Sequence, residues 1–197
     1  MADCCCTPQP DTRYRKVLWA ALLINAAMFA VELGGSARAG SVSLLADSVD
    51  FLGDAGNYAV SLFVLGMAAV WRSRTAYAKG LVMGAFGLLV LARALWIGFE
   101  GQVPAPQTMG VIGVLALAAN GVVALLLYAF RHGDANMRSV WLCTRNDMIG
   151  NLAVLLAAAG VFGTGAAWPD LAVACVMAVL GLSAAREVIG KARVEMS

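Results

Sequence analysis

The sequence predicts an all-α integral membrane bundle of six transmembrane helices, with both termini cytoplasmic. Three observations carry this expectation. Hydrophobic residues make up 61 % of the 197 and charged residues only 13 %, roughly half the charged share of a soluble domain. The mean hydropathy is +0.78, which implies more apolar surface than one small core can hide and leaves hydrocarbon as its place. Lysines and arginines fall on alternate connections, as an even number of spans requires.

Six apolar stretches stand out, each of about twenty residues and so able to cross ~30 Å of hydrocarbon at 1.5 Å per residue. In chain order they are Val17–Leu33, Ser43–Val70, Tyr77–Phe99, Met109–Phe130, Val140–Phe162 and Leu171–Ile189. The segments expected to connect them hold Gly, Pro, Ser or charge: Gly34–Gly40, Trp71–Thr75, Gln102–Gln107 and His132–Arg138. No small-residue cleavage pattern follows the first stretch, so it reads as a mature helix and not a leader. The expected organisation is a short cysteine-containing cytoplasmic tail over 1–16, a six-helix membrane domain over 17–190, and a short basic tail over 191–197.

Orientation follows from the cations. Arg13, Arg15 and Lys16 precede the first helix; Arg72, Arg74 and Lys79 lie between the second and third. Arg131 and Arg138 lie between the fourth and fifth, and Arg186, Lys191 and Arg193 near the C-terminal end. The other side carries only Arg38. The formal net charge is +2 with no basic cluster, so no nucleic-acid partner is expected; the lipid bilayer is.

Ionisable groups inside a membrane cost a few kcal/mol each and default to function. The second helix nevertheless holds Asp47, Asp50 and Asp54. Spacings of three and four residues stack them on one face, and no Lys or Arg within that helix neutralises them. The fifth helix offers Cys143 and Asp147 four residues apart, with Asn151 continuing the stripe. The two helices run in opposite directions. If they are neighbours, Asp54 comes level with Cys143 and Asp50 with Asp147. Three carboxylates and one thiolate can make a tetrahedral site that suits zinc and tolerates cadmium. Asp47 and Asn151 are secondary candidates.

Other polar residues read more plainly. Arg93 pairs with Glu100 or Glu32, Arg145 snorkels or pairs elsewhere, and Asn25 and Asn120 glue helices together. Cys175 is packing, and His132 is solvated in a charged loop. Cys4, Cys5 and Cys6 are weak candidates for capturing a soft metal at the cytoplasmic side; adjacent cysteines form no disulfide framework. Three other functions stay open. The acids could couple protons or sodium to another solute, or the protein could be a metal-binding subunit or sensor that transports nothing. A membrane hydrolase is disfavoured, because no intramembrane histidine and no serine with a base is visible. The chain is therefore expected not to be an enzyme and to need no cofactor.

Two segments resemble the cation diffusion facilitators, a family of metal/proton antiporters. Gly40–Asp54, GSVSLLADSVDFLGD, is similar to the family's second-helix stretch, where a Ser-Leu-Leu-Ala-Asp run precedes an acid or His and then an Asp four later. Ser139–Asn151, SVWLCTRNDMIGN, is similar to its fifth helix, normally His-x-x-x-Asp followed by a small polar residue. Trp168-Pro169-Asp170 opening the sixth helix and Glu32 ending the first also match. Cys143 stands where the family usually has histidine, and the family's usual C-terminal cytoplasmic domain is not in this sequence. The resemblance implies export of Zn²⁺, Cd²⁺ or a similar ion from the cytoplasm in exchange for protons. It implies Asp50, Asp54 and Asp147 as ligands and proton carriers, Cys143 as the soft ligand, a homodimer as a possible assembly, and the bacterial inner membrane as the location.

Overall fold

The apolar stretches fold into six helices: α1 (Thr12–Ala39), α2 (Val42–Phe63), α3 (Ala69–Glu100), α4 (Pro106–Tyr128), α5 (Ala135–Thr164) and α6 (Trp168–Met196). The structure, a computed structural model, describes residues 12–63, 69–131 and 135–196. No strand occurs among them.

Several helices outrun the apolar stretches that predict them. The segment Gly34–Gly40, expected to be a connection, belongs to α1 as far as Ala39. Gly35 there serves packing: an added Cβ would collide with Ile112 Cδ1 of α4. The chain turns only at Gly40, whose φ of +67° suits a residue without Cβ. Trp71–Thr75 likewise lies inside α3, and Arg138 inside α5. Hydropathy marks where a helix meets hydrocarbon, whereas the backbone hydrogen-bond ladder can continue past it.

Five helices contain stretches long and apolar enough to cross a membrane: α1, Gly80–Glu100 of α3, α4, Thr144–Thr164 of α5 and Trp168–Val194 of α6. The remaining helix, α2, carries three aspartates. Its 22 residues still measure about 33 Å. This helix is surrounded, with packed contacts to α1, α3, α5 and α6. The most extensive pairings are α3 with α6, α1 with α2 and α4 with α5, and α4 also packs on α1. The outside is apolar: Leu23, Leu125, Phe162 and Phe99 all face outward. Such a surface belongs in lipid, since a soluble monomer rarely shows large apolar patches. The protein is a multi-pass integral membrane protein.

Apolar clusters pack around the acids, two of them large. One gathers Val42, Leu44, Val49, Val90, Met109, Val154 and Val161. The other gathers Tyr14, Leu18, Tyr58, Leu62, Val123 and Leu127.

The start of α2 is fastened by a residue 128 positions away. The wholly buried Asp170, in the first turn of α6, accepts from Val42 N at 2.8 Å and Ser43 N at 3.1 Å. It also accepts from Ser41 Oγ at 2.7 Å and Ser43 Oγ at 2.6 Å. Helix N-termini expose unpaired N–H groups and a partial positive charge, and a carboxylate satisfies both. Ser41 Oγ also caps Leu44 N at 3.2 Å.

Removing this acceptor strands two buried N–H groups and two hydroxyls. Hydrogen bonds to charged groups contribute about 1.5–3 kcal/mol each, so Asp170→Ala should cost about 2 kcal/mol or more. Asp170→Asn, which keeps an acceptor oxygen, should cost less; thermal unfolding of the detergent-solubilised variants measures both. Glycines give a second check. A Cβ on Gly160 would lie 2.8 Å from Pro169 Cβ, in a rigid ring, whereas one on Gly121 would meet nothing within 4 Å. Helix propensity favours Ala by about 1 kcal/mol, but overpacking costs about 1–3 kcal/mol. Gly160→Ala should therefore lower the melting temperature and Gly121→Ala should hold or raise it.

Candidate metal centre

The Asp47/Asp50/Asp54 stripe sits on the face of α2 that the bundle encloses. Asp47 is 1 % exposed and Asp54 8 %; Asp50 is half-buried. Helix α5 brings Asp147, also half-buried, against them. Asp147 lies within hydrogen-bonding reach of Asp54 and interacts more weakly with Asp50 and Asp47. Gly150 of α5 faces this stripe: a Cβ there would lie 4.0 Å from Asp47 Oδ1, an ordinary van der Waals distance. Asn151, next along α5, is wholly buried.

A tyrosine fastens the α2–α5 seam. The Tyr58 hydroxyl shares a 2.7 Å hydrogen bond with Thr144 Oγ1 of α5 and donates to Asp54 Oδ2 at 3.4 Å. Tyr58 is one turn beyond Asp54 on the same face, so its ring closes the stripe on the side of the second apolar cluster. Neither Tyr58 nor Thr144 is singled out by the sequence, where a tyrosine and a threonine in apolar surroundings carry no distinctive spacing.

Glu32 corrects an expectation. It does not pair with Arg93, which is exposed on α3. Glu32 is wholly buried, and its carboxyl group faces Asp47 across the α1–α2 contact and senses Asp50. The signal was available, since an acid in a membrane helix is a functional candidate by default; the assumed arginine partner concealed it. Three smaller expectations also change or settle. Asn25 donates to Ala21 O of its own helix at 2.8 Å and so does not bridge helices. Cys175 faces outward and does not pack. Arg145 is exposed, with its guanidinium 5.7 Å from the Trp141 ring centre, away from the acids.

The site's electrostatics follow from these positions. Among buried oxygens, Glu32 Oε1 and Oε2, Asp47 Oδ2 and Asp147 Oδ2 meet no hydrogen-bond donor, and both side-chain polar atoms of Asn151 are likewise unmet. Helix α2 contains no Lys or Arg. Buried polar atoms without partners are costly, and buried charges more so. Carboxyl groups that face each other with no donor between them call for a proton or a cation to bridge them.

The ligand set expected from the sequence is brought together in part. Asp54 and Asp147 meet, and Asp50 and Asp47 lie alongside. Among the described residues, no three His, Cys, Asp or Glu side chains are arranged to hold one ion together. The Cys143 side chain lies outside the described residues, as do Cys4, Cys5, Cys6 and His132. The Cys143 backbone belongs to α5, one helical turn before Asp147.

Comparison with known proteins identifies the family. Residues 18–196 match the family model described as the cation efflux transmembrane domain. A cadmium, cobalt and zinc/H(+)-K(+) antiporter of Bacillus velezensis is 26 % identical over 184 residues, covering 85 % of this chain and 58 % of that protein. The chain thus spans a little over half the length of this relative. With six helices, an acid-bearing α2 against α5 and a family match from 18 to 196, the chain belongs to the cation efflux family, the cation diffusion facilitators.

Proposed function

We propose that this protein exports a divalent transition-metal ion, Zn²⁺ or Cd²⁺, from the cytoplasm in exchange for protons. The observation that carries the reading is the group of buried carboxylate oxygens on α1, α2 and α5 that have no donor among the described residues. A dication supplies the missing counter-charge. Asp50, Asp54 and Asp147 are the proposed ligands and proton carriers, with Asp47 and Asn151 beside them and Cys143 as a soft ligand from α5. The antiporter activity named for the Bacillus velezensis relative favours the same reading.

The mechanism follows from competition for the same oxygens. Metal ligands must be deprotonated, so metal arrival releases protons and proton arrival releases metal. An inward proton gradient then drives metal outward if the loaded site is presented alternately to the two sides. Helix α2 is suited to be the ligand-bearing element, because it touches four of the other five helices among the described contacts. With termini on the cytoplasmic side, the proposed entrance lies at the Tyr58 end of the stripe, where Tyr14 and Leu18 of α1 pack.

Flux of Zn²⁺ and Cd²⁺ into proteoliposomes under an imposed pH gradient tests the proposal. Wild type should move metal, and Asp54→Ala and Asp147→Ala should each reduce flux at least tenfold, since even the partners of metal ligands contribute about 10–100-fold. Cys143→Ser should lower the Cd²⁺:Zn²⁺ ratio. Acidifying the side from which metal binds should weaken binding, because protons occupy the same carboxylates. If neither ion binds nor moves, the acids serve a different solute; tight binding without flux makes the chain a sensor or subunit.

A further inference from the structure

We propose that Met83 and Met177 flank the acid stripe with thioether sulfurs and, with Asp50, form a soft-ion subsite that favours Cd²⁺ over Zn²⁺ and Mn²⁺. The inference rests on the metal-efflux reading and names what tunes it.

The subsite lies on the side of α2 away from α1. A cavity of about 10 Å³ sits between α2, α3 and α6, which is about the space of one water-sized occupant. Of its lining residues, only Asp50, Met83 and Met177 carry a heteroatom in the side chain; the rest are Ala, Gly and Val. Among the lining side chains, one carboxylate and two thioethers are thus the groups able to meet an ion.

Both methionines reach their places over glycines on the acid-bearing helices. A Cβ on Gly53, the residue before Asp54, would lie 3.7 Å from Met83 Sδ and 3.5 Å from its Cε. A Cβ on Gly150 would lie 3.7 Å from Met177 Cε and 4.0 Å from Asp47 Oδ1. Met83 of α3 and Met177 of α6 thus approach α2 and α5 at glycine positions, at distances that a Cβ would meet as ordinary van der Waals contact. Methionine often merely fills irregular gaps. Here two of them, from different helices, end at one cavity with the same carboxylate.

The chemistry then favours a soft ion. Carboxylate oxygens alone suit hard ions, whereas thioether and thiolate donors draw soft ones. Met is also unbranched, with three rotatable bonds, so a sulfur can turn toward an ion without moving the helices. The proposed subsite adds sulfur from α3 and α6 to whatever Cys143 contributes from α5.

Met83→Leu, Met177→Leu and the double variant remove sulfur at nearly constant volume. Competition titrations of Cd²⁺, Zn²⁺ and Mn²⁺ on the purified full chain should show the double variant losing about tenfold in Cd²⁺ affinity, with Mn²⁺ affinity changing less than twofold. X-ray absorption at the cadmium edge, in a Cys143→Ser background, should show a sulfur neighbour with both methionines present and none in the double variant. Unchanged metal ratios together with no sulfur neighbour overturn the subsite. The wild type and Asp54→Ala separate the two failures. If the wild type binds Cd²⁺, Asp54→Ala loses it and the Leu variants match the wild type, only the thioether inference falls. If the wild type binds no metal, both readings fall.

Discussion

An acid can be kept in the dry centre of a bundle only if the helix that carries it cannot slide or rotate away. The carboxylate of Asp170 supplies that constraint. It joins the start of α6 to the N–H groups and serine hydroxyls at the start of α2. Because helix rise is fixed at 1.5 Å per residue, fastening Val42 and Ser43 fixes the depth of Asp47, Asp50 and Asp54 below them. The interaction is strong because both partners are buried, and a carboxylate at a helix N-terminus meets aligned donors and a favourable dipole.

Given that depth, the arrangement of the centre follows from small residues and one tyrosine. Gly150 of α5 faces Asp47, and Gly35 lets α1 lie against α4. Small residues at contacts are how helices approach in lipid, where burial of apolar surface supplies no drive. Tyr58 then ties α2 to α5 through Thr144 and touches Asp54. The result is a group of carboxyl groups on three helices packed among apolar clusters. An arrangement with fewer donors than acceptors is poorly suited to a purely structural role and well suited to a cation that arrives and leaves.

Family membership and physical reading meet at this centre from different directions. The family match covers residues 18–196, a range that includes all of these acids. The structure adds Glu32 behind Asp47 and the two methionines beside Asp50. These additions would, on the proposed reading, extend the donor set from two helices to five and add thioether sulfur to it. Selectivity among divalent ions depends on donor type and geometry more than on charge alone, so residues outside the α2–α5 motif have the means to set it.

The sequence by itself determined the helix count and the location of the chain in a membrane. Each of these depends on local composition over about twenty residues, which a linear pattern records. It also marked Asp47, Asp50, Asp54 and Asp147 as residues that need a reason to be buried, since periodicity along one helix shows which side chains share a face. Only the tertiary structure decided what each face meets. It turned Glu32 from a presumed arginine partner into a neighbour of Asp47, made Gly35 a contact and not a turn, and brought Asp170 to the start of α2 across 128 positions. These are pairings between distant segments. They are set by how helices pack against one another, and no spacing within a single helix encodes that.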